Sequence, residues 1–203
     1  MRTMRLTVAA TLVAALGCSG SDATPTVTTT AVAPAPAEGS KEWKIQTAMS
    51  AGPTAIAQGA TIMDMSATVD SLKVLRTGTN GWTCVADALG PHHPGPMCVD
   101  GQWMKWMEAY MAHKPPAISA VGTAYMLAGA NDPSNTDPYA TAPAAGTDWV
   151  TSGPHLMVIT PGAHAYDALP HEPTNDVPYV MFLGTPYAHV MVPVPGAHGA
   201  GPN

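Results

Sequence analysis

Residues 154–164, PHLMVITPGAH, align without gaps to residues 188–198, AHVMVPVPGAH, and seven of the eleven positions are identical. Each copy is a short apolar run closed by Pro-Gly-Ala-His, the pattern of a strand running into a turn. The duplication is of a single strand and is not a solenoid period. Each copy opens on His-x-Met: His155 with Met157, and His189 with Met191. Residues two apart on a strand project from one face, their Cα atoms ~7 Å apart. Each strand therefore offers an imidazole and a thioether on the same side.

Outward from the repeat, the region after residue 117 keeps the same character. Residues 121–128, 149–150 and 179–183 are further short apolar segments, separated by Pro, Gly, Asn and Asp. This spacing predicts an antiparallel sheet, sandwich or small barrel. The N-terminal half reads differently. Ser40 suits an N-cap for a helix over 41–50, which Gly52-Pro53 ends, and Pro53 opens a second short turn reaching Gly59. Strands are expected at 60–65, 72–76 and 82–86, with Asn80-Gly81 as a hairpin turn between the last two. Trp103, Trp106, Met107, Tyr110 and Met111 recur at i, i+3, i+4, i+7 and i+8, so residues 101–113 form an amphipathic helix. Asp100 caps it and Pro115-Pro116 stops it. A Met/Trp stripe at that spacing is core packing. The fold class is α+β: one domain over 41–195, short helices first and a β-rich C-terminal half, then a loose tail at 196–203.

The first residues give an address. Arg2 and Arg5 precede an apolar run from Leu6 to Leu16, too short to span a bilayer core of ~30 Å and suited to a signal-peptide h-region. It ends in Ala15-Leu16-Gly17-Cys18, which resembles a bacterial lipobox, with Ala15 where a larger residue is usual. That resemblance implies cleavage after residue 17 and acylation of Cys18. Residues 18–40, rich in Ala, Pro and Thr, then read as a tether without enough apolar surface to fold. The expected location is the periplasm or cell surface, with the membrane as a partner through the lipid on Cys18. Ser19, in place of an aspartate, favours the outer membrane.

Loss of Arg2 and Arg5 with residues 1–17 takes the formal charge from −6 to −8. A chain this acidic has no basic surface for phosphates, which excludes nucleic acid as a partner. With Cys18 assigned to lipid, Cys84 and Cys98 remain, and outside the cytoplasm they are expected to form a disulfide. A zinc shell with His92 and His93 is the alternative, although the spacing is not that of a finger.

The chemistry follows from the repeat. If its two strands pair, His155, Met157, His189 and Met191 form a soft-metal or small-ligand site, a donor set suited to Cu(I), and thirteen methionines in an exported chain fit the copper reading. The alternatives are an enzyme using His189 or His155 as acid or base, with Tyr187 sharing the face of His189, and a purely structural or interaction protein of the envelope. Asp148, Glu172 and Asp176 are the carboxylates available to orient such a histidine. Nucleophile elbows, zinc-protease pairs, phosphate loops and dinucleotide fingerprints are absent from the sequence. The oxygen-rich segment 131–137 lacks the spacing of an EF-type calcium loop, and Asx turns account for it.

The segments Asn80-Gly81-Trp82-Thr83-Cys84, Pro96-Met97-Cys98, Ser134-Asn135-Thr136-Asp137-Pro138, Gly153-Pro154-His155 and Gly184-Thr185-Pro186-Tyr187-Ala188-His189 together resemble a family of uncharacterised secreted bacterial proteins. The resemblance covers most of 41–195. It implies that these segments belong to one unit, and it carries no activity and no residue roles.

Overall fold

The computed structural model describes residues 35–65, 72–86, 95–162 and 166–199. The expected signal peptide, most of the tether, Cys18, His92 and His93 lie outside the described residues. Helix α1 (Lys41–Met49) starts where Ser40 accepts the Trp43 N–H at 3.1 Å. A single turn, α2 (Thr54–Ala57), follows Pro53. Then come β1 (Thr61–Met65), β2 (Leu72–Arg76), β3 (Thr83–Val85), β4 (Met97–Val99) and α3 (Gly101–Met111). The C-terminal part holds β5 (Gly122–Met126), β6 (Ala130–Asp132), β7 (Val150–Ser152), β8 (His155–Ile159), β9 (Tyr179–Met181) and β10 (His189–Pro193).

Eight strands make one sheet in the order β2-β1-β3-β4-β5-β8-β10-β9, and β6 pairs with β7 in a separate ribbon. Neighbours are antiparallel except β1 and β3, which run parallel. The fold is thus α+β and mostly β, as one domain. Among the described residues no closed barrel forms, because the large sheet stays open between its edges β2 and β9.

The hairpin expected at Asn80-Gly81 is not formed, because β1 lies between β2 and β3. The turn residues are committed elsewhere. The Thr79 N–H donates to the Gly59 carbonyl at 2.8 Å, and the Asn80 amide donates to the Ile56 carbonyl at 2.7 Å while its oxygen accepts the Trp82 N–H. Arg76 donates to the carbonyls of Ala57, Gln58 and Ala60. These bonds pin the loop to the end of α2 and carry the chain across β1.

The two sheet faces are packed by different chemistry. Under α1 and α2 the layer is built of small groups: Ala48, Ala51, Ala57, Ala60, Ile62 and the disulfide between Cys84 and Cys98, which are direct cross-strand partners on β3 and β4. Gly52 is required here, since a Cβ on it would lie 2.8 Å from the Cys98 sulfur.

On the opposite face α3 lays Trp103, Trp106, Met107 and Tyr110 over methionines from the central strands. Asp100 fixes that helix. One carboxylate oxygen accepts the N–H groups of Gln102 and Trp103, and the other accepts the Thr123 N–H at 2.6 Å, tying α3 to β5. Past the C-cap Ala112, His113 takes a left-handed φ of 53°, with the Lys114 N–H closing onto the Ala109 carbonyl just before the two prolines.

Candidate functional site

Strand β8 is hydrogen-bonded to β10, antiparallel, so the two copies of the repeat lie side by side and run in opposite directions. Met157 is the direct partner of Met191. All four side chains of the two His-x-Met pairs are buried, and all face α3. The antiparallel register separates the histidines, however. His155 sits opposite Pro193, and with Val190 opposite Val158 the frame puts His189 beside Ile159. Four residues at ~3.4 Å rise set the two histidine Cα atoms roughly 14 Å apart along the strands. The expected cluster is therefore a row, with the methionines in the middle and an imidazole at each end.

The outer strands extend this row. Met126 of β5 is the direct partner of His155, and Met181 of β9 is the direct partner of His189. Beside the central pair, Ala124 stands next to Met157 and Tyr179 next to Met191. The four strands β5-β8-β10-β9 thus have an internal two-fold relation, centred on Met157 and Met191.

Both histidines are held by the same device. The His155 Nδ1 is 2.7 Å from the Gly153 carbonyl, and the His189 Nδ1 is 2.9 Å from the Tyr187 carbonyl, in each case two residues upstream. A carbonyl can only accept, so Nδ1 carries the proton in both rings and each Nε2 keeps its lone pair. Burial reinforces the neutral form. It lowers the His155 pKa below the ordinary value against the opposing pull of the Gly153 carbonyl and Asp132. It pushes His189 down to about 4, despite the Tyr187 carbonyl and Asp132, with His155 adding to the fall.

The row lines a cavity of about 20 Å³ beneath α3, whose walls also include Met97, Asp132 and Phe182. Trp103 and Trp106 complete it and flank the His189 ring edge-on, at centroid distances of 5.3 and 5.6 Å, with Phe182 at 5.5 Å. The His155 Nε2 is buried without a hydrogen-bond partner among the described residues, as are the indole nitrogens of Trp103 and Trp106. Leaving such a group unpaired costs ~1–3 kcal/mol each. Phe182, the chain's one phenylalanine, holds a left-handed φ of 58°. Its N–H donates to the Asn135 carbonyl at 2.7 Å, and its own carbonyl accepts from the Thr185 hydroxyl. Beside the cavity lies an open cleft of about 700 Å³, walled by residues that include Thr160, Tyr166 and Pro186, and Trp106 belongs to both walls.

The acid–base arrangement considered for Tyr187 and His189 is not assembled. The Tyr187 hydroxyl accepts from Tyr139 at 2.6 Å and donates to the Lys114 carbonyl, and Tyr187 meets His189 only through its main chain. His189 is 3% exposed. Asp148, Glu172 and Asp176 are exposed, whereas the carboxylate that lines the cavity is Asp132. The rest of the oxygen-rich segment forms turns, with the Ser134 hydroxyl accepting the Thr136 and Asp137 N–H groups and Asp137 accepting the Tyr139 N–H.

Sequence reasoning missed Met126, Met181, Asp132 and Phe182. The first two sit in segments read as strands, but only inter-strand register reveals that they stand beside the histidines. Among the described residues no group of three or more His, Cys, Asp or Glu is placed to hold a metal, so a metal site built from those residue types alone is not present there. No protein-family model, curated protein or solved structure matches this chain.

Proposed function

We propose that this chain is an exported lipoprotein, anchored through Cys18, that binds a soft metal ion, Cu(I), in the cavity beneath α3 with His155, Met157, His189 and Met191. The observation that carries the reading is the His155 Nε2: a neutral imidazole lone pair, buried without a hydrogen-bond partner, at the edge of a cavity lined by thioethers. Thioether and neutral imidazole together suit Cu(I), and thioethers hold few other biological metals well. A cavity of this size admits one water at most. It therefore suits an ion that sheds its hydration shell for sulfur and nitrogen, and not a hydrated hard cation.

Two measurements test the reading. The first is metal analysis of the protein purified under reducing conditions with copper supplied. Copper is expected to stay bound through desalting and to be lost when His155 and His189 are both replaced by Asn. Wild-type protein without retained copper, under conditions where it is folded, removes the metal reading and leaves the buried row as packing. The second is the mass of the mature N-terminus. A diacylated Cys18 is expected, and an unmodified terminus elsewhere removes the anchor.

A further inference from the structure

The Cu(I) reading treats the cavity as one centre fed by two imidazoles, and the register favours a different division. By register each imidazole has two methionines as neighbours on its own face. One is two residues along its own strand on the same face, and the other is directly across on an outer strand: Met157 and Met126 for His155, Met191 and Met181 for His189. Directly opposed residues have Cβ atoms ~4.5–5.5 Å apart, well inside the span two ligands of one ion bridge. The two imidazoles, by contrast, start roughly 14 Å apart and would have to lean along the sheet to share an ion.

We infer that the cavity holds two Cu(I) ions, one bound by His155, Met126 and Met157 and the other by His189, Met181 and Met191, related by the internal two-fold through the Met157–Met191 pair. This rests on the Cu(I) reading above and adds Met126 and Met181 as ligands. One nitrogen and two sulfurs give each ion a three-coordinate shell of soft donors. All six residues line the same cavity. A dehydrated Cu(I) ion is much smaller than a water molecule, so a space of about 20 Å³ is not exhausted by one ion. Two buried positive charges among neutral ligands raise the electrostatic cost, and Asp132, the carboxylate in the wall, offsets part of it.

The half-sites are not equivalent. His189 is enclosed by Trp103, Trp106 and Phe182, whereas the unpaired Nε2 belongs to His155. The ions are thus expected to load in sequence.

The test combines stoichiometry with coordination. The full-length protein is titrated with Cu(I) against a chromogenic Cu(I) chelator, and the loaded wild-type protein is examined by copper K-edge X-ray absorption. Two equivalents are expected, in two steps, with a mean shell of two sulfurs and one nitrogen. Met126→Leu and Met181→Leu, which keep volume and cost less than ~1.5 kcal/mol in a core, should each retain one equivalent. A single equivalent with two nitrogens and two sulfurs overturns this inference and leaves the one-centre reading standing. No bound copper overturns both. Two equivalents retained by both leucine variants also overturn it. Should either variant fail to fold, the wild-type shell and stoichiometry decide alone.

Discussion

Lowering the pH of the metal-free protein from 7 towards 4 puts a proton on an unfolded histidine well before it reaches folded His189. The unfolded side chain titrates near 6.5, whereas burial among Trp103, Trp106 and Phe182 brings the folded value down to about 4. The folded state therefore binds fewer protons between those limits. Stability is fully present above the unfolded pKa and falls as pH drops, at ~1.4 kcal/mol per unit, levelling off only below the folded value. The loss for His189 alone comes to roughly 3 kcal/mol between pH 7 and 4. His155 moves in the same direction for the same reason. Urea midpoints measured across that range for wild type and His189→Asn isolate the effect, because asparagine keeps a donor for the Tyr187 carbonyl and does not titrate. The wild-type curve should fall roughly 3 kcal/mol further than the variant's. Parallel curves would show that His189 is not buried as a neutral ring, and the description of the cavity would be wrong.

Asp100→Ala removes the cap of α3 and the acceptor for the Thr123 N–H together, and should cost at least ~2 kcal/mol in chemical denaturation. Replacing Cys84 and Cys98 together by alanine opens a loop spanning a sequence separation of 14, with an expected loss of ~3 kcal/mol that a urea titration would register. Gly52→Ala drives a methyl toward the Cys98 sulfur at 2.8 Å; a drop in thermal midpoint equivalent to ~1–3 kcal/mol is expected, and it should shrink when Cys98 is also replaced by alanine. Phe182→Gly relieves ~1–2 kcal/mol of left-handed backbone strain but removes a buried ring worth ~3–5 kcal/mol, so net destabilisation by calorimetry is the expected sign.

What the sequence revealed followed the range of the interactions involved. Helix α3 was legible because its period, its cap at Asp100 and its proline stop are all local. The disulfide was legible by counting, once Cys18 was set aside. The strands carrying His155 and His189 were visible from their duplication. Their antiparallel order, which turns a cluster into a row, depends on how the chain between them travels. Asn80-Gly81 misled because its local turn chemistry was outweighed by hydrogen bonds to Ile56 and Gly59, twenty or more residues upstream. Asp132 read as part of a turn-rich loop, and its place in the cavity wall follows from the pairing of β6 with β7, which carries no periodic signal over three residues. The openness of the sheet is likewise a property of register between distant strands, so the short apolar segments alone left an open sheet, a sandwich and a small barrel all in play.

Trp106 belongs to the wall of the open cleft and to the wall of the small cavity beneath α3, and is itself 1% exposed. Its consequence is kinetic. Its indole is shared by the two walls and is stacked on Tyr110, with an angle of 6° between their rings. If the cavity takes an ion as proposed, exchange from the cleft side should wait on the swing of the indole out of that stack, a rate separate from the strength with which the ion is held. On the proposed metal binding, a substitution at Trp106 should change the rate of exchange without removing a sulfur or imidazole ligand, while also loosening the packing of the His189 ring that it flanks.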